Sequence, residues 1–177
     1  MQSAELLLHE RVPRGVAFHP HTADRAALRA TLEAPETPIR VIDSPDTPTP
    51  EVQLLSNGRY HVMVSHAGGG YSRWKDLALT RWREDGTCDA WGSFCYLRDL
   101  ASGEFWSTAH QPTQQRGDGY EAIFSEGRAE FRRRDAGLDT HTEIVVSPQD
   151  DIELRRVRIT NRSRVRRRIE VTSYTVV

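Results

Sequence analysis

The segment Leu138-Asp139-Thr140-His141-Thr142-Glu143-Ile144-Val145-Val146 decides the fold class. Leu138, Thr140, Thr142, Ile144 and Val146 share one parity, while Asp139, His141 and Glu143 take the other. Apolar or threonine side chains at every second position mark a strand with one buried face, whereas a helix repeats every 3.6 residues. Runs of similar character cover 54–64, 77–82, 91–98, 104–109, 120–125, 128–134, 152–161 and 168–177. Turn residues separate them, among them Glu84-Asp85-Gly86, Ser102-Gly103, Glu126-Gly127, Ala136-Gly137 and Asn161-Arg162-Ser163. Many short strands at about 8–12-residue spacing predict an all-β chain, an antiparallel sandwich or barrel. Asn57-Gly58, between two strand-like runs, suits a type I′ turn, whose central residues both need φ > 0. Ile152 and Leu154 share one parity but Val157 and Ile159 the other, which predicts a bulge near Arg155-Arg156.

The first fifty residues read differently. Seven of the nine prolines lie there, and Ile42-Asp43-Ser44-Pro45-Asp46-Thr47-Pro48-Thr49-Pro50 reads as a linker, since each proline removes a backbone donor. Thr22 to Glu33 can form a short helix capped by Thr22 or Asp24. The predicted organisation is a lead-in over 1–50 and a sandwich over 51–177. The 177 residues carry a formal net charge of −1, which gives no global drive toward nucleic acid. The basic residues are almost all arginine, and Arg155, Arg156, Arg158, Arg162, Arg164, Arg166, Arg167 and Arg168 crowd one stretch without the interleaved aromatics of single-strand binders. No run approaches the roughly 18–20 apolar residues of a membrane-spanning helix, and Leu6-Leu7-Leu8 is too short for a secretory signal. Cys88 and Cys95 cannot build a disulfide framework, so the expected setting is reduced and cytoplasmic.

His66-Ala67-Gly68-Gly69-Gly70-Tyr71-Ser72-Arg73-Trp74-Lys75-Asp76 is the segment richest in chemistry. Three glycines permit unusual backbone and close approach of a ligand. Two aromatic rings, two cations, a hydroxyl and a carboxylate follow. Sugar sites use this mixture, with aromatic faces on pyranose C–H groups and planar polar groups on hydroxyls. The bland reading is a loop whose rings cap the core edge. No phosphate-loop ending follows the glycines, and no Gly-x-Ser-x-Gly elbow is present. Cys88 and Cys95 lack zinc spacing, and His19-Pro20-His21 with Asp24 reads as a solvated turn. No metal, cofactor or catalytic residue is predicted. His61, His66 and His141 are available for a His/Glu pair of an independent enzyme, but no partner glutamate is assigned to any of them.

Several segments resemble the amino-terminal sandwich domain of glycoside hydrolase family 94, formerly glycosyltransferase family 36. They are Leu-Leu-Ser-Asn-Gly-Arg-Tyr (54–60), Gly-Gly-Gly-Tyr-Ser-Arg-Trp-Lys-Asp (68–76), Leu-Thr-Arg-Trp-Arg-Glu-Asp (79–85), Trp-Gly-Ser-Phe-Cys-Tyr-Leu-Arg-Asp (91–99) and Asp-Asp-Ile-Glu-Leu-Arg-Arg-Val (150–157). Ala-Glu-Phe-Arg-Arg-Arg-Asp (129–135) and Ile-Glu-Val-Thr-Ser-Tyr (169–174) are similar too. Within the family the likeness is to the cyclic β-1,2-glucan synthase branch. The resemblance implies a galactose-mutarotase-like supersandwich, of which this chain holds an incomplete part. It also implies a helical linker and an (α/α)₆ barrel that carries the catalytic aspartate. No barrel pattern occurs here, so no position receives that aspartate. The partners implied are a β-glucan or glucooligosaccharide, the catalytic barrel region and a homodimer mate, with other segments anchoring the parent synthase in a membrane. Gly69, Gly70, Tyr71, Ser72, Arg73, Trp74, Asp76 and Arg81 are the positions expected to face sugar or shape its cleft. The alternative expectation is a structural module that packs on the barrel or a second subunit without binding sugar alone.

Overall fold

A computed structural model describes residues 38–83 and 90–177. Twelve strands account for the regular structure of these residues: β1 (Arg40–Ile42), β2 (Val52–Ser56), β3 (Tyr60–Ser65), β4 (Gly70–Trp74), β5 (Leu77–Ala78), β6 (Ser93–Asp99), β7 (Phe105–Ser107), β8 (Gly119–Ser125), β9 (Arg128–Asp135), β10 (Leu138–Val146), β11 (Glu153–Asn161) and β12 (Ile169–Thr175). All pairings are antiparallel and form three sheets, ordered β1-β8-β9-β10-β11, β2-β3-β4-β5 and β12-β6-β7. The all-β sandwich is therefore observed. The short helix expected at 22–33 and His19-Pro20-His21 lie outside the described residues.

The alternation in β10 builds the core. Leu138, Thr140, Thr142 and Ile144 are buried, and His141 and Glu143 turn to the opposite face. Ile144 joins Leu55, Val62, Val64, Ala122, Phe124, Ala129 and Phe131 in one cluster, where the four-stranded sheet covers the five-stranded one. Leu138, of the same parity, joins Leu97 and Trp106 in a second cluster under the three-stranded sheet. Two small sheets thus cover one face of the large sheet.

Two local expectations are corrected. β10 and β11 pair without interruption from Leu138↔Asn161 to Val146↔Glu153, so no bulge forms at Arg155-Arg156. Leu154 instead keeps its parity and pairs with Val145 on the outer face, 53% exposed. At Asn57-Gly58 only Gly58 takes a positive φ, at 89°. The Asn57 side chain explains that residue, because its Oδ1 accepts from the Arg59 and Tyr60 amides at 3.0 and 2.8 Å. The type I′ signature occurs at Ala136-Gly137, with φ of 46° and 81° between the paired Asp135 and Leu138.

The proline-rich stretch also holds more structure than a linker. β1 pairs with β8, and Ile42 is buried in the first core cluster. Buried His66 fastens the segment that follows: its Nδ1 accepts from the Glu51 amide at 3.1 Å, and its Nε2 lies 2.9 Å from Thr47 Oγ1.

Candidate functional site

The glycine-rich segment is mainly a strand, with β4 between β3 and β5. Gly70 pairs with Val64, and a Cβ added there would lie 2.0 Å from the Met63 carbonyl oxygen. Gly69 and Gly70 are buried. Gly70 thus serves close approach of protein backbone, and Gly68 close approach of Ala109. Strand alternation then divides the rest. Tyr71 and Arg73 point to one face, and Ser72 and Trp74 to the other. Tyr71 meets the exposed ring of Trp82 edge-on at 5.7 Å. Asp76 and Arg81 are exposed, and the Arg81 amide donates to the Val176 carbonyl at 2.9 Å. The candidate positions thus do not converge on one point.

A shallow, open cleft of about 340 Å³ does bring motifs together, lined by Tyr60, Ser72, Thr80, Ser93, Glu153 and Arg155, among others. Each of the motif segments 54–60, 68–76, 79–85, 91–99 and 150–157 contributes at least one lining residue. The Ser72 hydroxyl donates to Glu153 Oε2 at 2.6 Å. The Arg155 Nε pairs with Glu153 Oε1, and Arg155 Nη1 donates to the Ser93 carbonyl at 2.6 Å. The Ser72 amide donates to Thr80 Oγ1 at 2.8 Å. Burial, and then the Glu153 carboxylate, push the Tyr60 hydroxyl above its ordinary pKa.

Two residues further along β4 and two before β11 begins, a second contact runs beside the first. The Trp74 indole donates to Asp151 Oδ2 at 2.7 Å, and Arg59 Nε donates to Oδ1 at 2.8 Å. These two donors, Trp74 first, hold the Asp151 carboxyl below the usual carboxylate range. The Trp74 ring is 37% exposed, and the Lys75 ammonium stands 4.5 Å over it. The result is an oriented aromatic surface beside a cleft of carboxylate, guanidinium and hydroxyl groups, the chemistry that reads a polyhydroxylated ligand. Sequence reasoning overlooked Tyr60, Asp151, Glu153 and Arg155 as site residues. The shared parity of Asp151, Glu153 and Arg155 was the available signal.

Comparison with known proteins agrees with the motifs that frame this cleft. Residues 35–177 match the family model described as "Glycosyl hydrolase 94, supersandwich domain". The chain belongs to the glycosyl hydrolase 94 family. The match begins well before residue 51, and β1 falls inside it. The cyclic beta-(1,2)-glucan synthase NdvB of Rhizobium meliloti is 37% identical over 177 residues, which is 98% of this chain and 6% of the relative. An N,N'-diacetylchitobiose phosphorylase of Vibrio furnissii is 31% identical over 139 residues, 76% of this chain and 17% of the relative. A 3-O-beta-D-glucopyranosyl-beta-D-glucuronide phosphorylase of Paenibacillus borealis is 30% identical over 124 residues, 68% of this chain and 15% of the relative. The chain thus spans only a small part of the length of these glycosyl hydrolase 94 relatives. No described helix is long and apolar enough to cross a membrane.

Proposed function

We propose that this chain is a carbohydrate-associated, cleft-shaping part of a supersandwich in a cytoplasmic cyclic β-1,2-glucan synthase-like protein, and that it contacts a β-glucan or glucooligosaccharide. The carrying observation is the convergence of five motif segments on the Ser72–Glu153–Arg155 cleft beside Trp74. Trp74 supplies the apolar face, and Glu153, Arg155 and Tyr60 supply planar or hydroxylic partners. The chemistry of glycosidic bond transfer belongs to a catalytic barrel region, and this chain alone is inactive. Calorimetry and tryptophan fluorescence with β-1,2-glucooligosaccharides test the reading. Millimolar-range binding that Trp74→Ala abolishes supports it, and an unchanged signal at those concentrations overturns a free-standing site.

One observation favours a second reading, an interface module that binds no sugar alone. Val171 pairs with fully buried Leu97 and shares its face, yet is 53% exposed. Beyond Ile169, which packs on the second core cluster, the core-facing side of β12 is therefore open to a packing partner, such as the barrel region or a second subunit. Absence of sugar binding, together with association of this chain with a separately expressed barrel region, is the result this reading expects.

A further inference from the structure

The outer face of the large sheet, away from the cleft, carries a cluster that the proposed function leaves unused. Glu130 on β9 and Glu143 on β10 are direct cross-strand partners. Like charges opposite each other on neighbouring strands are destabilising unless a cation compensates them. His141 stands two residues from Glu143 on the same face. Its Nε2 lies 2.8 Å from Glu130 Oε2 and 3.8 Å from Glu143 Oε1. One donor atom from each of the three side chains falls within 4.8 Å of the others.

Each carboxylate is oriented from outside the cluster. Arg128 holds Glu130 through Oε1 at 3.4 Å, while Oε2 faces the imidazole, with the Arg132 guanidinium 3.8 Å from it. Arg156 binds Glu143 through Oε2, which leaves Oε1 turned to the imidazole. Outer-shell contacts that fix ligand orientation in this way are a recurrent part of metal sites. The glutamate side chains are only 12% and 15% exposed, whereas those of Arg128, Arg132 and Arg156 are 50%, 55% and 64% exposed. The guanidiniums therefore have room to swing into solvent when a cation enters, while the ligands stay in place.

We propose that Glu130, His141 and Glu143 form a three-ligand site for a borderline divalent transition ion such as Zn²⁺. Two ligands on a tetrahedral ion with bonds near 2.0–2.1 Å lie roughly 3.3 Å apart. The two separations from His141 Nε2, 2.8 and 3.8 Å, bracket that value. One imidazole nitrogen with two carboxylate oxygens suits Zn²⁺, Co²⁺ or Ni²⁺, whereas Ca²⁺ and Mg²⁺ select all-oxygen sets. The ion takes the imidazole lone pair at Nε2, leaves the proton on Nδ1 and keeps at least one position for water. It takes over from the arginines the compensation of Glu130 and Glu143 and clasps β9 to β10.

Zinc chloride titrated into the chelator-stripped full chain near pH 7 in a non-coordinating buffer tests the site by calorimetry. His9, His19, His21, Cys88 and Cys95 are other conceivable ligands, so the comparison is among variants. The expected result is one site in the parent chain that is lost in His141→Ala and in Glu143→Gln but kept in His19→Ala/His21→Ala. Zinc should also raise the melting temperature of the parent and not of His141→Ala, with equal Ca²⁺ having no effect. If His141→Ala melts below the parent without metal, Glu143→Gln, which keeps the side-chain volume, gives the decisive isotherm. A parent chain that binds no zinc, or superimposable isotherms for the parent and Glu143→Gln, overturns the proposal.

Discussion

Ser72 on β4 and Glu153 on β11 are joined by a 2.6 Å hydrogen bond across 81 residues of chain. The bond ties the four-stranded sheet to the edge of the five-stranded sheet. Ser72 is 3% exposed and the Glu153 side chain 10%, so water replaces the bond poorly. Hydrogen bonds to a charged group contribute about 1.5–3 kcal/mol. Ser72→Ala should lower the unfolding free energy by that much, read as a lower urea midpoint with an unchanged m-value. An unmoved midpoint would show that Arg155 alone satisfies Glu153.

Gly70→Ala should be more damaging than Gly58→Ala. The new Cβ at residue 70 meets the Met63 carbonyl at 2.0 Å, and the obstacle is backbone, which cannot rotate away. Overpacking costs about 1–3 kcal/mol, occasionally more, and a backbone obstacle puts this case at the upper end. At Gly58 the added Cβ meets nothing within 4 Å, and only the φ of 89° is strained, a cost of about 1–2 kcal/mol. Denaturation of the two variants side by side checks the order, and equal losses would contradict the account of the glycine segment as a close-packed strand.

The period-two pattern of β10 and the turn residues around it located β6 to β12 closely, because burial on one sheet face leaves its print in alternation. β4 was hidden because Gly68-Gly69-Gly70 carries no side chains to alternate, so the segment read as a loop. β1 was hidden by flanking prolines, although Ile42 is the buried residue that anchors it. The site was legible as a set of motifs but not as a place: Ser72 was singled out, whereas Glu153, distant in sequence, read only as part of a strand. Their meeting depends on how two sheets stack, which no local pattern encodes.

Arg133 illustrates the same limit with a charge. In Arg132-Arg133-Arg134 the outer two face solvent, while Arg133 has the parity of Phe131 and is 3% exposed. Its guanidinium binds both oxygens of Asp135, at 2.7 and 2.6 Å, and donates to the Ala109 and Gln115 carbonyls. Arg133→Met leaves an uncompensated buried carboxylate, which costs about 3–5 kcal/mol. Arg133→Met/Asp135→Leu should cost less than the sum of the single changes, because the second removes the orphaned charge. Additive losses in a double-mutant cycle would show that the pair is not coupled.

Asp151 gives the second rung a pH signature. The Trp74 indole and then the Arg59 guanidinium hold its pKa below the ordinary aspartate value of about 3.9. A depressed folded pKa means that the contribution is fully present above the unfolded value. It is lost as pH falls through the folded one. The fluorescence of Trp74, taken as the difference between the parent and Trp74→Phe, should therefore stay constant from pH 7 to about 4 and change only below that. Asp151→Asn keeps the shape but accepts more weakly and no longer attracts Arg59. It should shift that fluorescence at pH 7 and remove the acid transition, while Ser72→Ala leaves the transition in place. A change centred above pH 5 would assign the titration to another group and detach Trp74 from Asp151.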